Sequence, residues 1–347
     1  MTRVAVDAMG GDHAPAATVQ GAVEAAAANP DVEIVLVGDA PRIGAALGGQ
    51  ALPERVRIEP SGSVLEMHES PVEALRRKPD SSIARAVALV AEGAADALVS
   101  AGSTGGVVAA AAFALPRLPG ARRAGIAAPF PTRAGHCVLM DVGANIHAKA
   151  SDLVEYAVMA SEYARAVLEI DAPRVGILSI GGEEGKGSPL VRKAAEALRE
   201  FDGVRFAGNV EGQQIFSGDV DVVLCEGFVG NAILKVSEGL LEAFVHHMLG
   251  RLRSEVAAGG DALAPALGAV LEDLRQRTDY TRYGGAPLLG HEAAIVICHG
   301  RSPPAAIRNA VDAAHRLVAG GVNGRIAAGL GALSRDRTVA AILGGST

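Results

Sequence analysis

The chain has 347 residues, 49% of them hydrophobic and only 3% aromatic, and a formal net charge of −7. That much apolar material is ample for a large core. The acidic balance and the scarcity of aromatics exclude a general binder of phosphate backbones and an aromatic nucleic-acid platform, so no nucleic acid is expected as a partner.

The chain opens on Val4-Ala5-Val6, a short buried strand that ends at Asp7. Gly10 and Gly11 follow as a tight turn with bare backbone N–H groups, and a helix is predicted from about Ala16 to Ala28. Strand, Gly-Gly turn and helix N-terminus together suit an anion. The same turn equally serves a purely structural connection. It is not the dinucleotide fingerprint, which needs Gly-x-Gly-x-x-Gly directly after the strand. A signal peptide would need a basic and then an apolar segment where this strand lies.

Further strands are predicted at Glu33–Val37, Val56–Glu59, Ala97–Ser100, Gly125–Ala128, Cys137–Met140, Arg174–Ile180, Val204–Ala207, Val220–Cys225 and Ala294–Cys298, with helices between most of them. Several are apolar at consecutive positions, as strands covered on both faces are. The alternation predicts an α/β fold with a mostly parallel sheet flanked by helices, and ligands at the C-terminal ends of its strands.

Those ends are rich in glycine and polar groups. Asp7 leads to Gly10, Gly11 and Asp12; Ser100 leads to Ser103, Thr104 and Gly105; Met140 leads to Asp141 and Asn145. Ile180 leads to Glu184 and Lys186, Ala207 to Asn209, Cys225 to Glu226, Gly230 and Asn231, and Cys298 to His299. On this reading all seven converge on one edge of the sheet.

Between Ser237 and Arg277 the rhythm breaks. Leu240, Leu241, Phe244, Val245, Met248, Leu249, Leu252 and Val256 recur at helical spacing, and Leu267, Val270, Leu271 and Leu274 mark a second helix. This is a helical hairpin, an excursion over about 237–277 from one domain spanning 1–347. No repeat or linker divides the chain. The longest apolar run, Val107 to Leu115, is too short to cross a bilayer. Beyond Gly324 the sequence is rich in Ala and Gly, with one more helix.

Gly181 to Gly187 is not a nucleotide P-loop, because Ile180 and Gly187 stand where that motif needs Gly and Ser or Thr. What remains is Lys186 among glycines, before a helix beginning near Ser188. It either pairs with an anion or is a solvated loop residue. Ser103 or Thr104 either caps a helix or holds an anion there. His299 can exchange a proton near neutral pH or be a satisfied structural histidine. His246 and His247 lack a third ligand, and Asp7, Asp12, Asp141, Glu184 and Glu226 show no metal-loop spacing, so no metal is expected. Cys137, Cys225 and Cys298 lie far apart in apolar runs and read as buried free thiols. No Gly-x-Ser-x-Gly elbow is present, and no covalent acyl-enzyme is indicated.

In order along the chain stand Val6-Asp7-Ala8-Met9-Gly10-Gly11-Asp12, Ala95-Asp96-Ala97 through Ser100-Ala101-Gly102 to Thr104-Gly105, Asp141-Val142-Gly143-Ala144-Asn145, and Glu183-Glu184 with Lys186-Gly187. Then come Gly208-Asn209-Val210-Glu211-Gly212, Gly227-Phe228 with Gly230-Asn231 and Leu234-Lys235, Gly284-Gly285-Ala286 with Leu288-Leu289-Gly290, and His299-Gly300. Together these resemble the bacterial phosphate acyltransferases of phospholipid synthesis, the PlsX family, from Val4 to about Asn309. Ser103 departs from the family's usual Asn, Glu226 from its Asp, and Ile297-Cys298 from a frequent Lys before the histidine.

The resemblance implies a three-layer α/β/α sandwich like that of phosphotransacetylases and of isocitrate and isopropylmalate dehydrogenases, working as a homodimer. It implies transfer of a fatty acyl group from acyl carrier protein to inorganic phosphate, with no cofactor. The acyl phosphate would pass to a membrane glycerol-3-phosphate acyltransferase. The enzyme would be cytoplasmic and peripherally bound to the inner face of the cell membrane. The hairpin turn near Leu263 and Leu267 either touches lipid or packs into the core or a dimer contact. In this picture Lys186 and the backbone of Gly10-Gly11 and Thr104-Gly105 hold phosphate. Asn231 or Asn209 donates to the oxyanion, and His299 orients phosphate or protonates the leaving thiolate. Arg76-Arg77-Lys78, Arg122-Arg123 and Arg275 with Arg277 are candidate docking patches for the acidic carrier, or ordinary solvated faces. Two alternatives stay open: a phosphotransacetylase using small acyl-CoA, and a scaffold that has lost catalysis, against which the retained Lys186, Asn231 and His299 argue.

Overall fold

Consecutive apolar residues put side chains on both faces of each strand. Val4 and Val6 point into one core, and Ala5 between them into the other. The computed structural model describes residues 1–257, 268 and 284–344. Its strands are β1 (Thr2–Asp7), β2 (Val32–Gly38), β3 (Val56–Pro60), β4 (Ala97–Ser100), β5 (Gly125–Thr132), β6 (Gly135–Met140), β7 (Arg174–Leu178), β8 (Arg205–Val210), β9 (Val222–Leu224), β10 (Ala286–Leu289) and β11 (Ala294–Ile297). They form one eleven-stranded sheet in the order β3-β2-β1-β4-β11-β10-β5-β6-β9-β7-β8.

Helices cover both faces. On the first lie α1 (Ala16–Ala28), α2 (Ala40–Ala46), α6 (Ala150–Val167), α7 (Pro189–Glu200) and the C-terminal helices Pro304–Ala319, Val322–Arg335 and Arg337–Leu343. On the second lie α3 (Pro71–Arg77), α4 (Ser82–Ala91), α5 (Thr104–Ala114) and the first turns of α8 (Gly227–Ala257). In α4, Ile83, Ala86, Val87 and Leu89 are the buried stripe. Ser188 caps α7 by accepting from the Val191 N–H, with Pro189 at the first helical position.

All ten expected strands are present, with small shifts at their ends. β10 is the one the pattern does not announce, because Pro287 stands inside it and Gly285 and Gly290 flank it. That strand has a large effect on the architecture. β1, β2, β3, β4 and β11 run parallel to one another. β10 is antiparallel to β11, β5 to β10, and β6 to β5. β9, β7 and β8 then continue parallel to β6. Three reversals leave β6, β7, β8 and β9 running opposite to β1–β4 and β11. The seven polar strand ends therefore do not converge on one edge: those of β1, β4 and β11 share one, and those of β6, β7, β8 and β9 lie at the other.

α8 carries the first arm of the expected hairpin. The second arm, with Leu263, Leu267, Val270, Leu271 and Leu274, lies outside the described residues, as do Arg275 and Arg277. No helix among the described residues is long and apolar enough to cross a membrane.

Candidate active site

The first group of strand ends is built by close backbone approach. A Cβ on Gly10 would come within 2.7 Å of both Asp7 Oδ2 and Gly102 N, so only glycine lets the β1 and β4 turns interlock. Gly11 has φ +104°, and the next residue, Asp12, donates its N–H to Gly300 O at 2.8 Å. This bond ties the β1 turn to the β11 turn. Asp7 is 2% exposed; its Oδ2 accepts from Ser100 Oγ at 2.8 Å and its Oδ1 from Met9 N at 3.3 Å. Burial pushes its pKa up, against hydrogen bonds from Ser82, Ser100, Met9 and Gly10.

Ser103 is the N-cap of α5, its Oγ accepting from Gly106 N at 3.4 Å. Thr104 and Gly105 form the exposed first positions of that helix, whose free N–H groups and dipole favour an anion. The segment 61–70 lies over this group. Leu65 packs against Gly106 and Met67 against Gly300, and Lys78 Nζ holds the segment by donating to Glu69 Oε2 at 2.6 Å and Val64 O at 2.8 Å.

His299 follows β11 beside these turns. Its Nδ1 accepts the Arg301 backbone N–H at 3.1 Å, which in the neutral ring places the proton on Nε2. Burial holds its pKa below the ordinary value. Lys235 and Arg301 push the same way, and Glu238 and Asp12 oppose them. Lys235 was not among the candidate residues. Its signal was its position one helical turn after Asn231, on the same face of a helix. It pairs with Glu238 Oε2 at 2.9 Å.

The second group is a different construction. Asp141 is fully buried. Its Oδ1 accepts from the backbone N–H groups of Ile126, Gly143 and Ala144 at 2.9–3.0 Å, and its Oδ2 from Asn145 N at 2.8 Å and Asn145 Nδ2 at 3.3 Å. Asn145 is spent on the scaffold too: Nδ2 donates to Ala124 O and Tyr156 OH, and Oδ1 accepts from Arg123. Gly230 lets α8 sit on this turn, because a Cβ there would strike Asp141 O. The Gly230 N–H donates to Glu226 O, and exposed Asn231 stands beside Gly143. Glu184 pairs with Arg199 at 3.1 Å on the surface.

Lys186 is exposed in the β7–α7 loop, which Asn209 fastens by donating Nδ2 to Glu183 O at 2.8 Å. Two oxygens of this loop region, Ser179 Oγ and Asn209 Oδ1, are buried without a hydrogen-bond partner among the described residues.

One chain does not bring all these residues together. Gly10, Gly11, Asp12, Ser103, Thr104, Gly105 and His299 meet at the first edge. Asp141, Asn145, Glu226, Gly230 and Asn231 meet at the second, with Lys186, Glu184 and Asn209 farther along it. β7 stands five inter-strand steps of about 4.8 Å from β11, and its end is at the opposite edge. α8 is the element that visits both groups: it starts on Asp141 and, two to three turns on, brings Lys235 and Glu238 to His299.

The three cysteines are buried, and burial pushes the thiols of Cys137 and Cys298 up to about 12 and that of Cys225 well above its ordinary value. Nucleophilic cysteines need the reverse. Among the described residues, no group of three or more His, Cys, Asp or Glu could hold a metal ion.

A family model described as a fatty acid synthesis protein matches residues 2–325. The chain is 44% identical over 331 residues to a phosphate acyltransferase of Myxococcus xanthus, covering 93% of this chain and 92% of that protein. It is 46% identical over 322 residues to a phosphate acyltransferase of Desulfitobacterium hafniense, covering 92% and 95%. In fold it is similar to a phosphotransacetylase from Streptococcus pyogenes, with a TM-score of 0.59 at 19% identity over 91% of this chain and 94% of that one. A Staphylococcus aureus phosphotransacetylase gives 0.58 at 17% identity over 91% and 94%.

Proposed function

The chain belongs to the phosphate acyltransferase family, and from that premise we propose how its residues move a fatty acyl group from acyl carrier protein to inorganic phosphate. A phosphate oxygen attacks the thioester carbonyl, the C–S bond breaks, and acyl phosphate and the carrier's thiolate leave. The thioester is already activated, so the protein's task is to hold an anion against a carbonyl and stabilise the oxyanion.

The observation that carries this reading is His299, held neutral beside an interlocked Gly10–Gly11 turn and the N-terminus of α5. Phosphate binds the Thr104–Gly105 end of α5, with Nε2–H of His299 orienting it and Lys235 supplying charge. The lowered pKa favours that role over protonation of the leaving thiolate, which would need the imidazolium. The test is consumption of palmitoyl carrier protein, with acyl phosphate trapped by hydroxylamine as the hydroxamate. Product that requires both phosphate and acyl carrier protein is expected. Product from acetyl-CoA alone would move the protein to the phosphotransacetylases.

Lys186 and Asn209 belong to the other edge, so we assign them to this site from the second subunit of a homodimer. Asn231, one turn from Lys235, donates to the oxyanion from within the chain. Lys186→Ala and His299→Ala should each lose about 10²-fold in rate. Refolded together in equal amounts, the two variants should regain about a quarter of wild-type activity, because half of the dimers are then mixed and each mixed dimer keeps one of its two sites intact. No recovery from a mixture shown to exchange subunits would place both residues in one chain.

The enzyme is further proposed to work in the cytoplasm at the membrane surface, passing acyl phosphate to a membrane acyltransferase. Leu263→Glu with Leu267→Glu should release it from anionic liposomes while sparing activity in solution. Unchanged sedimentation with liposomes would remove the hairpin from this role.

A further inference from the structure

Where the sheet changes direction, its helical cover parts. The helix Pro304–Ala319 belongs to the half containing β11, and α6 to the half containing β6. Between the end of α6 and that helix lies a cavity of about 560 Å³, on the face of the sheet opposite α5. None of the residues placed in the transferase site lines it.

Its walls and its mouth differ in chemistry. Val296, Leu317 and Tyr163 are buried lining residues, with Val167 close by. Arg133 and Arg316 also line it but are exposed, and neither forms an ion pair with another described residue. Two guanidinium groups beside a cavity of mixed lining, with Thr132 and His136 as well as Val296 and Leu317 in its wall, offer planar donors for one anionic head and an apolar strip for an attached chain. The volume lies in the range of small-molecule sites.

The geometry points to a binding site for a single-chain amphiphilic anion, with its head between Arg133 and Arg316 and its chain along Val296 and Leu317. A fatty carboxylate and an alkyl phosphate both have that chemistry. Calorimetric titration of the full chain with laurate and with dodecyl phosphate, each below its aggregation concentration, separates the two heads by their relative affinity. One ligand per chain is expected, weakened at least tenfold by combined Arg133→Glu and Arg316→Glu and unchanged by His299→Ala. Ala313→Leu, which adds bulk to the cavity wall, should block binding without altering charge. Both sets of variants should keep phosphate-dependent transfer. Absence of saturable binding, wild-type affinity in the charge-reversed protein, or equal binding of inorganic phosphate alone would overturn the site. Loss of binding in His299→Ala would do so too, because the amphiphile would then occupy the transferase centre.

Discussion

Asp7 and Asp141 end strands in opposite halves of the sheet, and both are buried, yet they serve different purposes. Asp141 accepts four backbone N–H groups and a side-chain amide, so its charge is spent on fixing the turn beneath α8. Asp7 meets mainly rotatable hydroxyls, and burial raises its pKa. A carboxylate saturated by backbone is a structural pin. One held by hydroxyls at the foot of an open helix N-terminus leaves neighbouring donors available for a ligand.

Isosteric replacement separates the two most sharply. Asp141→Asn points an NH₂ group at backbone donors and should cost about 4 kcal/mol in urea unfolding. Asp7→Asn should cost about 1 kcal/mol, because serine hydroxyls can turn to accept. Equal losses would erase the distinction.

Next in size is the pH profile. The His299 pKa is depressed, so the ring is neutral above it and charged below. Protonation would put a hydrogen on Nδ1, where the Arg301 N–H already donates. Transfer should therefore decline as the pH falls through a value below the ordinary 6.5 of histidine. A His299→Gln variant, about 10²-fold slower, should lack that acid limb. An identical limb in the variant would assign it to another group.

The smallest effect belongs to the cap. Ser103→Ala should cost about 1 kcal/mol of stability and raise the KM for phosphate only slightly. A large KM change would make Ser103 a ligand rather than a cap.

Most of the fold was legible because the relevant signals are local. Val4-Ala5-Val6, Val35-Leu36-Val37 and the glycine turns announce strands covered by helices, and α1 falls on the expected Ala16–Ala28. The direction of the second half was not legible. It rests on β10, whose Pro287 hides a central strand, and on its antiparallel pairing with β5, about 160 residues away in sequence. The site suffered accordingly. Asp7, Gly10, Gly11, Asp12 and His299 could be grouped from their strand ends, but nothing local told Lys186 from them. Lys235 was overlooked because it lies inside a helix rather than at a strand end.

The order of strands also bears on how the polypeptide is made. β10 and β11 follow every other described strand in sequence, yet they occupy the middle of the sheet, between β4 and β5. A ribosome that has produced everything up to residue 285 has therefore released two half-sheets, each with an open edge at β4 or β5 able to pair with foreign strands. The seam is laid after both halves, because its two strands come later in the sequence than any other described strand.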